Sequence, residues 1–265
     1  MTPSTRPFLP MRYRRMLWSL LAIAVGVYAA ICVFFLIFQR SFIYMPRPET
    51  PAHAPAFTLD VPGARVRISS RPHDGPKALM YFGGNAEDVA YTLPELAALF
   101  PDRAIYLMHY RGYCGSSGRP AETALRSDAR ALFQMVHARH SDVIVVGRSL
   151  GSSLAVQLAA EEPVSRVVLI TPFESILRIG QRTAPFLPMA LLLHDKYESW
   201  RFAPRVTCPT LIIAASHDEL VPLGDTEALL RAFRPGVATL RVMDDTDHNS
   251  VSDKAEFWEA LAGTP

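Results

Sequence analysis

Charge disappears from the chain between residues 16 and 38, a run of 23 positions without Asp, Glu, Lys or Arg. As a helix such a run crosses a hydrocarbon layer of roughly 30 Å. It is apolar on all faces, unlike an amphipathic helix laid on a soluble core. Trp18, Gly26 and Tyr28 are ordinary in a membrane helix. The run is too long for the apolar part of a cleaved leader, and Gln39-Arg40-Ser41-Phe42 offers no small-residue cleavage site. The pattern therefore predicts a basic tail over residues 1–15 and an uncleaved transmembrane anchor over residues 16–39.

Past the anchor the pattern changes twice. Residues 46–62 are proline-rich and unpatterned, so 40–62 reads as a linker into a domain over 63–265. Inside that domain, short apolar runs rich in β-branched residues alternate with segments of helical spacing. Strands are predicted at 65–70 and 77–82, joined through His73-Asp74-Gly75-Pro76, and then at 103–109, 143–147, 166–170, 210–215 and 239–243. Helices are predicted over 86–100 with a break near Pro94, then 122–140, 152–161, 224–233 and 253–261. Strands alternating with helices imply an α/β fold with a mostly parallel sheet covered on both faces. Residues 173–204 interrupt the alternation. They contain Leu187-Pro188-Met189-Ala190-Leu191-Leu192-Leu193 and read either as extra core helices or as a small lid.

Charge refines the picture at one end. Six of the 27 basic residues and none of the 25 acidic ones fall within residues 1–48. The remainder is mildly acidic and suggests no nucleic-acid surface. Arg6, Arg12, Arg14 and Arg15 precede the apolar run, against Arg40 and Arg47 after it. That bias places the N-terminus in the cytoplasm and the domain on the other side. Three cysteines are too few for a disulfide framework; Cys32 lies in the anchor, and Cys114 and Cys208 are expected to be free thiols.

The chemistry centres on Gly147-Arg148-Ser149-Leu150-Gly151. An apolar strand precedes it and a helix follows, the context in which G-x-S-x-G forms a nucleophile elbow. Small residues two positions either side let the turn close, and the serine hydroxyl is lifted towards the N–H groups of the next helix. A serine needs a base, and the base needs an orienting acid. Strand 210–215 runs into Ser216-His217-Asp218-Glu219, and strand 239–243 into Asp244-Asp245-Thr246-Asp247-His248. Ser149, Asp218 and His248 thus stand in the order Ser…Asp…His. Glu219 is a rival acid, and His217 and His109 are rival bases, His109 reading as pocket wall or core. Asp244, Asp245 and Asp247 read as solvated loop charges. The chain shows no metal-ligand cluster and no phosphate loop, so no cofactor is implied.

With these residues in view the chain resembles an α/β-hydrolase, in particular the small membrane-anchored α/β-hydrolase-domain proteins related to serine aminopeptidase-type hydrolases. The markers are Phe42-Ile43-Tyr44-Met45-Pro46, Gly83-Gly84-Asn85-Ala86-Glu87-Asp88, Tyr110-Arg111-Gly112-Tyr113, the elbow itself, Cys208-Pro209-Thr210-Leu211-Ile212-Ile213 and His217-Asp218-Glu219-Leu220-Val221-Pro222. The family pattern puts the acid directly after His217, at Asp218. The resemblance also implies an oxyanion hole made by the backbone N–H groups of Asn85 and Leu150. Two positions depart from it: Gly83 stands where the family usually has histidine, and Cys114 where it often has glycine.

The expected activity is a serine hydrolase working through an acyl-enzyme on an ester, thioester or amide, esterase- or lipase-like in character. An acyltransferase or peptidase on the same triad, and a non-catalytic membrane-tethered binding module, are the alternatives. The implied partners are an acyl-containing small molecule, lipid or peptide, and the membrane itself.

Overall fold

The computed structural model describes residues 11–48 and 55–263. Residues 1–10 of the expected basic tail, Arg6 included, and residues 49–54 of the expected linker lie outside the described residues. Eight strands form one sheet: β1 (Ala56–Val61), β2 (Ala64–Arg71), β3 (Lys77–Phe82), β4 (Ala104–Met108), β5 (Asp142–Arg148), β6 (Arg166–Ile170), β7 (Thr210–Ala215) and β8 (Ala238–Met243). The spatial order is β1-β2-β4-β3-β5-β6-β7-β8. β1 and β2 run antiparallel to their neighbours, and every pairing from β4 to β8 is parallel.

The central strands carry apolar residues on both faces because both faces are covered. Ala78, Met80 and Phe82 of β3 join the core on one side, with Val143 and Val145 of β5 and Val167 and Leu169 of β6. Leu79, Tyr81, Ile144, Val146, Val168 and Ile170 fill the other. The helices that cover these faces are α2 (Leu93–Leu99), α3 (Glu122–His137), α4 (Leu150–Ala159), α7 (Leu223–Ala232) and α8 (Ala255–Ala262). α5 (Ile176–Thr183) and α6 (Met189–Leu192) sit in the interrupting segment, and α1 (Met11–Ile43) is the N-terminal apolar helix.

Several elements differ from the sequence pattern. β1 lies inside the stretch expected as linker and pairs along its whole length, from Ala56 opposite Ser69 to Val61 opposite Ala64. Gly63, at φ 77°, turns that hairpin. The neighbouring prolines hide a short strand whose alternation is only half-buried. β2 and β3 do not pair; β4 is inserted between them. The helix expected over 86–100 is a 3-10 turn at Val89–Thr92 followed by α2, with Pro94 in the first turn, where a missing N–H costs nothing. α4 begins at Leu150 rather than 152, because the strained Ser149 is itself its N-cap.

α1 has 33 residues and is about 50 Å long. Among the described residues it is the one helix long and apolar enough to cross a membrane. It extends beyond the expected 16–39 at both ends, and its last turns touch the rest of the protein. Cys32, Phe35, Gln39 and Ile43 recur at helical spacing and are the residues of that stretch withdrawn from solvent.

Candidate active site

In an open parallel sheet, ligands bind beyond the carboxyl ends of the strands where the strand order reverses. That point lies here between β3 and β5, since β3 has β4 on one side and β5 on the other. β3 ends at Phe82 opposite Gly147 and feeds the Gly83-Gly84-Asn85 loop; β5 feeds Ser149. β7 and β8 deliver Asp218 and His248 to the same edge.

The turn at Ser149 is shaped by close backbone approach. Ser149 has φ 47° and ψ −113°, a conformation that costs an L-residue on the order of 1–3 kcal/mol. A Cβ on Gly147 would fall 2.4 Å from the Gly151 carbonyl oxygen, and one on Gly151 would fall 2.0 Å from that of Phe82. Neither position admits a side chain. The Ser149 N–H donates to the Ile170 carbonyl at 2.9 Å, which ties the turn to β6.

Ser149, His248 and Asp218 form one hydrogen-bonded chain. His248 Nε2 lies 2.9 Å from Ser149 Oγ, and Nδ1 lies 2.7 Å from Asp218 Oδ2. The other carboxylate oxygen, Oδ1, accepts the N–H groups of Leu220 at 3.0 Å and Val221 at 2.7 Å. A carboxylate so occupied needs a donor at Oδ2. The imidazole therefore carries its proton on Nδ1 and presents Nε2 as acceptor to the serine hydroxyl. Both Asp218 and His248 are buried.

The rival residues lie elsewhere. Glu219 and His217 are exposed, and His217 Nδ1 is engaged with Ser216 Oγ at 2.9 Å. Asp244, Asp245 and Asp247 are exposed as well. Asp247 has a structural task that the sequence pattern did not reveal. Its carboxylate accepts the N–H groups of Ser250 at 2.9 Å and Asn249 at 2.8 Å, fastening the turn that carries His248. Those bonds hold its carboxyl below the usual carboxylate range.

His109 is buried, with Nε2 2.8 Å from Ser69 Oγ and Nδ1 3.8 Å from Asp88. Burial pushes its pKa down to about 4, so the ring is neutral at physiological pH. Asp88, His109 and Cys114 bring an oxygen, a nitrogen and a sulfur within 4.8 Å of one another. Burial pushes the Cys114 thiol up to about 11, so the free thiol keeps its proton at neutral pH. Cys114 has φ 45°, the left-handed conformation that explains why glycine suits this position better. All three cysteines are free.

The loop after β3 is braced without a histidine. A Cβ on Gly83 would stand 2.5 Å from Val89 Cγ1, so the position has no room for a larger residue beside that valine. Its carbonyl accepts the Tyr110 hydroxyl at 2.6 Å, and the Gly84 N–H donates to Glu87 at 2.6 Å. The Asn85 amide donates to the Ile43 carbonyl at 2.7 Å; its oxygen accepts the Tyr113 hydroxyl at 2.7 Å and the Met45 N–H at 3.0 Å. Arg47 Nε donates to the Ala86 carbonyl at 2.8 Å. The Leu150 N–H belongs to the first residue of α4 and has no carbonyl one turn back to meet.

Above Ser149 and His248 lies a cavity of about 730 Å³. The volume falls in the range of small-molecule sites. Phe173, Ile176, Ile179, Met189 and Leu193 of the interrupting segment line it, as do Phe35, Phe42 and Ile43 of α1. The contribution of α1 is absent from the sequence reading. The signal for it is Gln39, an amide at the end of the apolar run on the same helix face as Phe35 and Ile43.

Comparison with known proteins agrees with this architecture. A family model described as the alpha/beta hydrolase fold matches residues 78–192. An uncharacterised protein of Mycobacterium tuberculosis is 34% identical over 231 residues, covering 80% of this chain and 81% of that protein. The chain belongs to the α/β-hydrolase superfamily. Another member, the alpha/beta hydrolase domain-containing protein aho-3 of Caenorhabditis elegans, is 29% identical over 189 residues, covering 69% of this chain and 55% of that protein. Among solved structures, the Pyrococcus furiosus esterase Pf2001 superposes with a TM-score of 0.65 at 12% identity, over 83% of this chain and 95% of the esterase. That likeness is one of fold.

Proposed function

We propose that this α/β-hydrolase is a membrane-anchored serine hydrolase that cleaves a carboxylic ester or related acyl bond through an acyl-enzyme. The observation that carries the reading is the hydrogen-bonded chain from Asp218 through His248 to Ser149 at the floor of an apolar cavity. Membership of the superfamily and the likeness in fold to an esterase support it.

In this mechanism Ser149 Oγ attacks the substrate carbonyl while His248 Nε2 takes its proton. Asp218 holds the tautomer and stabilises the imidazolium. The oxygen that becomes negative meets the N–H groups of Leu150 and Asn85, each worth roughly 3–4 kcal/mol to the transition state in comparable sites. The imidazolium then protonates the leaving alcohol. Water, activated by the same histidine, attacks the acyl-serine and frees the acid. Transfer to an alcohol or amine in place of water uses the same residues. Residues 173–204 act as the roof of the acyl pocket. Residues 16–39 serve as the anchor, with the N-terminus cytoplasmic and the domain on the opposite side.

The test is labelling of the detergent-solubilised protein with a fluorophosphonate probe, together with turnover of p-nitrophenyl butyrate, for wild type and Ser149→Ala. Labelling and turnover in wild type, both lost in Ser149→Ala, are expected. A wild type inert in both assays overturns the proposal in favour of a binding module on a retained hydrolase fold.

A further inference from the structure

The anchor does more than tether the domain. We propose that α1 is a wall of the active-site pocket, and that the pocket takes the long acyl chain of a membrane lipid ester directly from the bilayer, between α1 and the roof. This inference rests on the hydrolase reading and names its substrate class.

Three observations carry it. The first is the attachment of the roof to the anchor. Gln39 Nε2 donates to the Leu192 carbonyl at 2.9 Å, and Gln39 Oε1 accepts the His194 N–H at 2.7 Å. Arg40 Nε donates to Asp195 at 2.9 Å, and the Tyr28 hydroxyl donates to the Phe186 carbonyl at 2.9 Å. Tyr28 and Gln39 are about 16 Å apart along the helix axis. The roof therefore follows the anchor into the stretch that is apolar on every face, rather than stopping at its end.

The second is the composition of that part of the roof. Residues 184–193, Ala-Pro-Phe-Leu-Pro-Met-Ala-Leu-Leu-Leu, carry no charged, amide or hydroxyl side chain. Phe186 and Leu191 are 66% and 82% exposed. In water, large apolar side chains so exposed would cost free energy; alongside a membrane helix they face hydrocarbon.

The third is the cavity. It runs from Ser149 and His248 to Phe35 and Phe42 of α1, and Met189 and Leu193 close it from the roof side. An acyl chain lying beside the anchor thus has an apolar path to the serine. The polar end of the lipid remains near the loop held by Asn85 and Arg47, where the chain leaves the anchor.

The experiment uses the full-length protein in phosphatidylcholine vesicles and a hexadecyl fluorophosphonate with a diazirine at the end of its chain. The probe reacts at Ser149, is photolysed, and the crosslinked peptide is mapped. Crosslinks within residues 28–43 of α1, together with residues 184–193, are expected. Crosslinks confined to the body of the domain, with α1 unmodified, overturn the inference and leave the hydrolase reading standing. No labelling at Ser149 overturns both. In a second arm, Phe35→Trp and Phe42→Trp narrow the pocket. Each buried methylene is worth roughly a fourfold gain in kcat/KM. The kcat/KM ratio for p-nitrophenyl palmitate in vesicles over p-nitrophenyl butyrate is therefore expected to fall at least about tenfold in one or both variants. An unchanged ratio in both overturns the inference.

Discussion

The side-chain amide of Asn85 is bonded at 2.7 Å to the carbonyl of Ile43, the last residue of the N-terminal helix α1. The loop proposed to bind the oxyanion is thereby held by the end of the N-terminal apolar helix. Asn85→Asp keeps the acceptor used by Tyr113 and Met45 but removes the donor to Ile43 and adds negative charge beside the developing oxyanion. A fall of roughly 10²-fold in kcat with little change in KM for short esters is expected. Steady-state kinetics with p-nitrophenyl butyrate decide it; a kcat within twofold of wild type would count against the brace.

Asp218→Asn tests the tautomer. Because Leu220 and Val221 both donate to Oδ1, the amide oxygen of the variant will take that position and its NH₂ will face His248 Nδ1. The imidazole must then carry its proton on Nε2 and can no longer accept from Ser149. A loss on the order of 10⁴ in kcat, with fluorophosphonate labelling slowed in parallel, is expected. Retention of more than a tenth of the wild-type rate would sink the proposed role.

Gly83 is a steric matter. Gly83→Ala puts a methyl group 2.5 Å from Val89 Cγ1 and is expected to cost about 1–3 kcal/mol of stability. Combined with Val89→Ala, much of that cost should disappear. A double-mutant cycle from urea unfolding in detergent measures the coupling. Strict additivity would show that the loop absorbs the methyl group by another route.

His109 gives a pH signature. Its folded pKa of about 4 lies below the ordinary value of 6.5 because burial disfavours the charged ring. The stability attached to the neutral ring is complete above the ordinary value and is lost as pH falls through the window down to the folded one, at up to about 1.4 kcal/mol per pH unit. His109→Asn removes this contribution. Unfolding at pH 7.5 and pH 5 should show a steeper acid loss in wild type than in the variant; parallel losses would exclude His109 as the cause.

What could be read from the sequence follows from where the information sits. Strands buried on both faces appear as apolar runs, and the loops at their carboxyl ends can be counted off along the chain. The neighbourhood of Ser149, Asp218 and His248 was legible for that reason. β1 was hidden because proline content near it resembles a linker, although Pro62-Gly63 marks the hairpin. The brace on the Gly83 loop was not legible either. It depends on Tyr110, Tyr113 and Ile43, which are distant in sequence from the loop, and the motifs that contain them do not show where their side chains and carbonyl meet it. Composition identified residues 16–38 as apolar but said nothing of the face at Phe35, Gln39 and Ile43 that packs on the roof.

That packing also sets an order of assembly. Arg40 and Asp195 are 155 residues apart in the chain, and Tyr28 and Phe186 are 158 apart. During synthesis the anchor emerges long before the segment it will hold. Contacts of such sequence separation close late, since their loop entropy must be overcome first. Until then the face of α1 at Cys32, Phe35, Gln39 and Ile43 lacks the segment that will cover it. The nascent protein thus completes the α1 side of its pocket only after residues 186–195 have docked on that helix.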